Sequence, residues 1–383
     1  MSKSKSSSSS SGAAAEKPVE LGFIEEESTF WKLSSAYFVS KVGGQPAWLN
    51  LKELPSVAEM KCPSCDFPTQ FLMQVYAPLD ENETFHRTIF IFICSRKMCC
   101  VERNSNKNLL VFRCQLPRDN EFYSKDPPNL ENKELAEISP EKFGVTLCRM
   151  CGCRGNMKCS ACKKVSYCSK DHQQFDWKMF HKKECTDPDF KGGMHDELIG
   201  FQEFELVMDT EVIPKGNAKK KIDEKTQLEE YKKLVADGKA GSLEDSEVSK
   251  DMLEASSYKS DKAFNKFKKR IAYQPAQVLR YDRAGEPLWV SNEKAIEKSD
   301  VPPCSYCKGP RVFEFQVMPQ LLNDLGNEVI DWGTLAVYTC VKSCNLGPAY
   351  KSEFIWQQDF KMDEEDGSAV SKKMKKMSLN DED

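Results

Sequence analysis

Eight soft metal ligands fall within 38 residues, in the order C-x2-C-x7-C-x2-C-x5-C-x3-H-x8-H-x3-C from Cys148 to Cys185. Thiolates and imidazoles are the ligands Zn²⁺ prefers, and four of them complete a closed structural site, so eight imply two ions. A two-residue gap lets both sulfurs of a C-x-x-C turn reach one ion, which makes Cys148/Cys151 and Cys159/Cys162 two knuckles. Ser169 to Glu184 reads as a helix with Ser169 as its N-cap. On it Cys168/His172 and His181/Cys185 are each four apart and share a face. So small a module takes most of its stability from bound metal.

Only one pairing of knuckles with helical pairs is interleaved. It puts Cys148, Cys151, Cys168 and His172 on one zinc, and Cys159, Cys162, His181 and Cys185 on the other. This cross-braced order, with Tyr167-Cys168 and Trp177 ahead of His181-Lys182, resembles the MYND zinc finger, in which Cys usually stands where this chain has His172. A C-x3-H step keeps the geometry.

The segments on either side of the finger resemble each other. The first has Gly44-x-Pro46-x-Trp48, Cys62/Cys65, an alternating apolar run Phe71–Tyr76, then Ile89–Cys94 and Cys99. The second has Gly285-x-Pro287-x-Trp289, Cys304/Cys307, Val312–Val317, then Thr334–Cys340 and Cys344. Glycine in the G-x-P-x-W element suits positive φ, and proline sets a turn before the aromatic residue. The apolar runs read as strands. Two further sets of ribbon-like ligands follow: Cys62, Cys65, Cys94 and Cys99, and Cys304, Cys307, Cys340 and Cys344. Zinc at each is the preferred reading, against cysteines that merely pack in the core. Cys99 and Cys100 are adjacent, and spacing leaves open which closes the first set; Cys99 is assigned. Cys100, Cys114 and Cys153 receive no role.

The expected fold class is therefore α+β, mainly β: two related β-rich, zinc-ribbon-like halves packed together about a pseudo-twofold axis, with an inserted cross-braced finger and disordered tails. The expected order is a Ser-rich tail at 1–17, an N-terminal half at 18–125, a linker at 126–146 and the finger at 147–186. A return segment at 187–214 follows, with a strand centred on Leu206–Val212. Then come an acidic, polar linker at 215–258 with a short helix at 228–237, a C-terminal half at 259–361, and a charged tail at 362–383. Ahead of the second repeat, Phe264, Phe267, Ile271 and Val278 suit a helix over Phe264–Arg280 interrupted near Pro275. The tails and linkers, 126–142 included, are polar and poor in aromatics, hence expected to be flexible.

Of 383 residues, 40% are hydrophobic and 30% charged, enough for a core in a soluble chain. Met1–Ala15 lacks the apolar centre of a secretory signal, and no window reaches the roughly 18 apolar residues of a membrane helix. A reducing compartment, cytoplasm and nucleus, is expected, where clustered cysteines mean zinc more often than disulfides. Lys372–Lys376 reads as an import signal or as a solvated tail. The net charge of −4 points away from nucleic acid, and direct DNA binding is not expected even though the finger carries nine basic residues to three acids. Phosphate-binding loops are absent, and His86 and His195 stand in no acid–base constellation, so no enzymatic activity is expected.

The order of G-G-x-P-A-W, cysteine pair, MYND finger, Val278-Leu-Arg-Tyr281, Gly285-x-Pro-x-Trp289, Phe315-Gln-Val-Met-Pro-Gln-Leu-Leu322 and Asp331-Trp-Gly-Thr-Leu-Ala-Val-Tyr338 is similar to the programmed cell death protein 2 family over residues 18–361. The resemblance implies a dedicated chaperone that captures a newly made small-subunit ribosomal protein of the S5 family and delivers it to pre-ribosomes. An acidic binder would attract such a basic client, through exposed sheet edges or through the acids of Phe201–Glu211. The alternative is a MYND adaptor in transcription, chromatin, proliferation or apoptosis, holding proline-rich peptides or transcription cofactors beside Gln173, Gln174 and Trp177.

Overall fold

The computed structural model describes residues 18–26, 29–102, 104–194, 200–213 and 262–360. The expected tails at 1–17 and 362–383, the linker at 215–258 with its helix at 228–237, the Lys372–Lys376 cluster and His195 lie outside these residues.

The fold is mainly β, as the alternating runs predicted. Thirteen strands are present among the described residues: β1 Glu20–Glu25, β2 Lys41–Val42, β3 Gln70–Tyr76, β4 His86–Ile93, β5 Leu109–Leu116, β6 Met157–Lys158, β7 Ser166–Tyr167, β8 Phe204–Thr210, β9 Leu279–Tyr281, β10 Arg311–Val317, β11 Thr334–Cys340, β12 Tyr350–Ser352 and β13 Phe354–Gln358. Eleven of them form one antiparallel sheet in the order β12-β5-β4-β3-β2-β8-β1-β9-β10-β11-β13, and β6 and β7 pair in the finger.

The pseudo-symmetry is visible in that order. The two halves do not pack as separate sheets, however; they are hydrogen-bonded edge to edge. β8, which follows the finger, pairs with β2 of the first half, while β1, from the start of the chain, pairs with β9 of the second. β8 and β1 then pair with each other from Glu20↔Thr210 to Glu25↔Glu205. Each half thus contains a strand whose sequence neighbours lie in the other half.

At the far ends the sheet meets itself. β12 pairs with β5, β13 pairs with β11, and only Glu353 separates them. The Glu353 amide donates to the Val111 carbonyl on β5 at 3.0 Å. The sheet is a near-barrel with its two end strands joined through one residue, so the exposed edges expected to grip a client are not offered by it.

Alternation along the strands sorts the core. Ile89, Ile91 and Ile93 of β4 join Phe315, Val317, Leu335 and Val337 in one buried cluster drawn from both halves. Phe90 and Phe92, on the opposite face of β4, join Trp48, Phe71 and Phe112 in a second cluster. Each such side chain fully removed from water contributes about 1.5–3 kcal/mol. The linker at 126–146, expected to be flexible over 126–142, forms short 3-10 turns at Lys133–Glu137 and Pro140–Phe143. Its few apolar residues, Leu135, Ile138 and Phe143, pack against the second cluster and hold it in place. The strand expected from the alternation after Phe201, Leu206–Val212 above all, runs from Phe204 to Thr210: Phe204 pairs with Val42 of β2, and Glu205–Thr210 pair with β1.

The inner face also carries charge. Arg87 of β4 makes a bidentate pair with Glu314 of β10, at 2.8 and 3.0 Å, and both side chains are fully buried. The Tyr281 hydroxyl donates to the same carboxylate at 2.6 Å, and Arg283 Nε lies 3.1 Å from it. A second buried pair, Arg113–Glu353, joins β5 to the residue that closes the sheet.

Candidate metal centres

All four knuckles are built by the same turn. The amide of the first cysteine donates to the carbonyl five residues on for Cys62, Cys148 and Cys304 (Phe67, Cys153, Gly309), and six on for Cys159 (Val165). The amide of the residue four after each first cysteine donates back to that cysteine's carbonyl at 2.9–3.0 Å. Those fourth residues, Asp66, Gly152, Lys163 and Lys308, all sit in the left-handed region at φ 57, 67, 59 and 60. The backbone turn places the two sulfurs, and only one of the four positions has glycine.

The sixteen predicted residues come together as four groups of four, with the ligand atoms of each group within 4.8 Å of one another. In the finger, Cys148 Sγ and Cys168 Sγ lie 3.5 and 3.2 Å from His172 Nδ1, and Cys151 Sγ is 3.7 Å from Cys168 Sγ. In the second group Cys159 and Cys185 are 3.8 Å apart and Cys162 Sγ is 3.4 Å from His181 Nε2. The first half brings Cys62 to 3.9 Å from Cys99 and Cys65 to 3.7 Å from Cys94. The second brings Cys304 to 3.7 Å from Cys344 and Cys307 to 3.5 Å from Cys340.

A disulfide needs about 2.05 Å, whereas four sulfurs at 2.3 Å from a central zinc stand about 3.8 Å apart. The four groups fit tetrahedral zinc. The ambiguity at Cys99 and Cys100 is resolved by direction: Cys99 joins the cluster, while Cys100 Sγ lies 3.3 Å from the Cys94 carbonyl.

Local electrostatics favour thiolate at four of the ligands, Cys65, Cys148, Cys159 and Cys307, and two of them show how. At Cys159, burial pushes the thiol up, but the amides of Cys162 and Ala161 together with His181 draw it down to about 6. At Cys307 the Gly309 amide, followed by Cys340, brings it to about 7. Ser169 Oγ accepts from the His172 amide at 3.1 Å and starts the finger helix, Lys170–Asp176, which continues through a π turn at Trp177–His181. The ring nitrogen of His181 that faces away from Cys162, Nδ1, is 3.3 Å from Arg149 Nη1; Arg149 in turn donates to Glu184 at 2.5 Å. With Nε2 on a metal, Nδ1 carries the imidazole proton, so the group that can orient the ring is the Glu184 carboxylate, 3.8 Å from Nδ1 and held in place by Arg149. Arg149 lies inside the first knuckle yet serves the second group, so spacing alone gave no sign of it.

Two of the centres are tied directly to the barrel. Trp48 Nε1 donates to the Gly152 carbonyl of the first finger knuckle at 2.7 Å, and Trp48 is 2% exposed. The finger therefore covers the aromatic cluster of the first half. In the second half the Cys344 and Ser343 carbonyls accept from Arg113 and Gln115 of β5, and the Cys340 amide donates to Glu353. The G-x-P-x-W glycines need their lack of a side chain for different reasons. Gly44 adopts φ +68, as expected. Gly285 does not adopt positive φ; a Cβ there would fall 1.9 Å from an Asp282 carboxylate oxygen, and the left-handed residue is Ala284 at φ 69.

Beside the second finger group lies a groove of about 530 Å³ lined by Gln173, Gln174, Trp177 and Lys178. Of the acids expected to meet a client, Glu203 is paired with Lys41, and Glu211 binds both Arg270 and Arg280. These two serve the fold.

Residues 18–130 match the family described as "Programmed cell death protein 2, N-terminal domain", residues 261–359 its "C-terminal putative domain", and residues 148–185 the MYND finger. The chain is 44% identical over 361 residues to programmed cell death protein 2 of Mus musculus, covering 91% of this chain and 98% of that one. It is 29% identical to programmed cell death protein 2-like of the same species, covering 87% and 93%. To the probable 20S rRNA accumulation protein 4 of Schizosaccharomyces pombe it is 26% identical, covering 79% and 87%. No solved structure matches.

Proposed function

The chain belongs to the programmed cell death protein 2 family, and on that premise we propose that it is a non-enzymatic chaperone for a newly made small-subunit ribosomal protein of the S5 family, which it delivers to pre-ribosomes in the cytoplasm and nucleus. The observation that carries this reading is the similarity, across both halves, to a fission-yeast protein named for accumulation of 20S rRNA. Four zinc ions per chain, two in the finger and one in each half, would hold the architecture. Each group supplies four protein ligands, which leaves no open coordination position for an activated water. The acidic net charge suits a basic client. With the sheet closed and Glu203 and Glu211 paired, client contact falls to the loops and outer faces.

The test is affinity capture of the tagged chain from cytosol at moderate salt, beside a Cys304→Ser/Cys307→Ser variant. Near-stoichiometric recovery of one small-subunit ribosomal protein, lost in the variant, supports the reading; recovery of no ribosomal protein overturns it. The Trp177 groove favours a second reading, an adaptor that holds proline-rich peptides. Because Trp48 packs on the finger, deleting 148–185 would uncover the first half and confuse the comparison. Trp177→Ala, at a residue 41% exposed, isolates the adaptor role.

A further inference from the structure

A large open pocket, about 1080 Å³, lies where the helix Lys262–Ile271 meets β9, β10 and the G-x-P-x-W loop of the second half. Phe267 anchors the helix by packing against Leu288, Val290 and Met318. That packing leaves Lys262, Lys266 and Lys269, spaced i, i+4 and i+7, along the pocket wall, each exposed. None of the three has an acidic partner among the described residues. Arg270, Arg280 and Arg283 also line the pocket, and six cations there face two acids, Asp282 and Glu286.

The arginines and lysines are not in the same state. Glu211, only 3% exposed, binds Arg270 and Arg280, and Arg283 lies 3.1 Å from the buried Glu314. Each guanidinium already faces a buried carboxylate of the fold, Arg270 and Arg280 through one nitrogen each, so their charge is matched there. What remains is a row of ammonium groups with one aromatic ring, Tyr273, 48% exposed at the rim. Lysine acts as a mobile point charge, and point charges beside a stacking ring are the combination that holds single-stranded nucleic acid without reading sequence. The chain's net charge hides this site, since the cations are balanced by acids elsewhere.

We propose that this pocket binds the phosphate backbone of single-stranded RNA, with Lys262, Lys266 and Lys269 on the phosphates and Tyr273 under a base. The choice of RNA rests on the small-subunit reading above; the cationic pocket does not. Binding here would let the chain touch RNA while its client, a protein, is held elsewhere.

The experiment measures anisotropy of a labelled 12-mer oligouridylate with the full-length, zinc-loaded chain between 50 and 200 mM KCl. Three phosphate contacts predict a log–log salt slope of about −2, an affinity loss of roughly 18-fold across that range. A Lys262→Gln/Lys266→Gln/Lys269→Gln variant should bind at least tenfold more weakly, and Tyr273→Ala about tenfold. Replacing Lys107, Lys125 and Lys142, exposed lysines elsewhere, by Gln should leave binding unchanged. Failure of the natural chain to bind, equal loss in the control triple, or equal competition by poly-glutamate would each overturn the proposal. The readout needs no client, so a failed client capture leaves it standing.

Discussion

Replacing Glu314 by Gln keeps the shape of the side chain and removes its charge. The fully buried carboxylate accepts two bonds from Arg87 and one from Tyr281, with Arg283 Nε at 3.1 Å. An amide would leave Arg87, fully buried, and Arg283, partly buried, without their counter-charge, and breaking a buried pair on one side costs about 3–5 kcal/mol. A second route gives a similar figure. Burial raises the Glu314 carboxyl, but Arg87, then Arg283 and Thr339, hold it at about 2, against 4.5 when unfolded. That depression corresponds to roughly 3 kcal/mol. Because the folded value is depressed, the stability is fully present above about pH 4.5 and is lost as pH falls from there through about 2.

The assay is urea unfolding followed by tryptophan fluorescence at fixed zinc. With a slope of about 3 kcal/mol per molar, the midpoint should fall by roughly 1–1.5 M. The double variant Arg87→Leu/Glu314→Leu should be less harmed than Glu314→Gln, since nothing charged is stranded on the Arg87 side. A Gln variant within 1 kcal/mol of the natural chain, or a double variant no better than the single one, refutes the argument.

Three other outcomes follow from the same geometry. Elemental analysis should find about four zinc ions per chain and about three in Cys304→Ser/Cys307→Ser; two per chain would remove both ribbon sites. Trp48→Phe leaves the Gly152 carbonyl unpaired and should cost about 1–3 kcal/mol, read as a lower melting temperature in a chain that keeps its zinc. His86, stacked 4.0 Å from Phe38 with Nδ1 3.1 Å from the Tyr76 hydroxyl, is lowered to about 4 by burial and then by Arg118. Its neutral form is favoured in the fold, so its contribution is present above about pH 6.5 and is lost as pH falls through 4; His86→Phe should flatten stability across that window.

The four ligand groups were legible because metal coordination is a local rule: a two-residue gap and a four-residue helical step fix which side chains can meet. The strands were legible for the same reason, since Ile89, Ile91 and Ile93 alternate with Phe90 and Phe92 within one segment. Partnership between strands was not. β2 has two residues and β9 three, too short to show a period, yet they are where the halves receive β8 and β1. The segment 126–146 looked polar because only a few of its side chains, Leu135 and Phe143 among them, do the packing. Gly285 looked like a turn glycine, but its constraint is the Asp282 side chain, which no spacing rule encodes.

The exchange of β1 and β8 orders the chain in time as well as in space. Synthesis runs from the first residue onward, and β1 emerges about 260 positions ahead of β9, its neighbour in the second half. The first half gains its fifth strand only after the finger has been made, and the strand that closes the barrel comes last, at Tyr350–Gln358. Neither half is a unit that can finish alone on the way out of the ribosome. Completion waits for nearly the whole chain, and cutting between residues 214 and 261 should leave two fragments that stay interlocked.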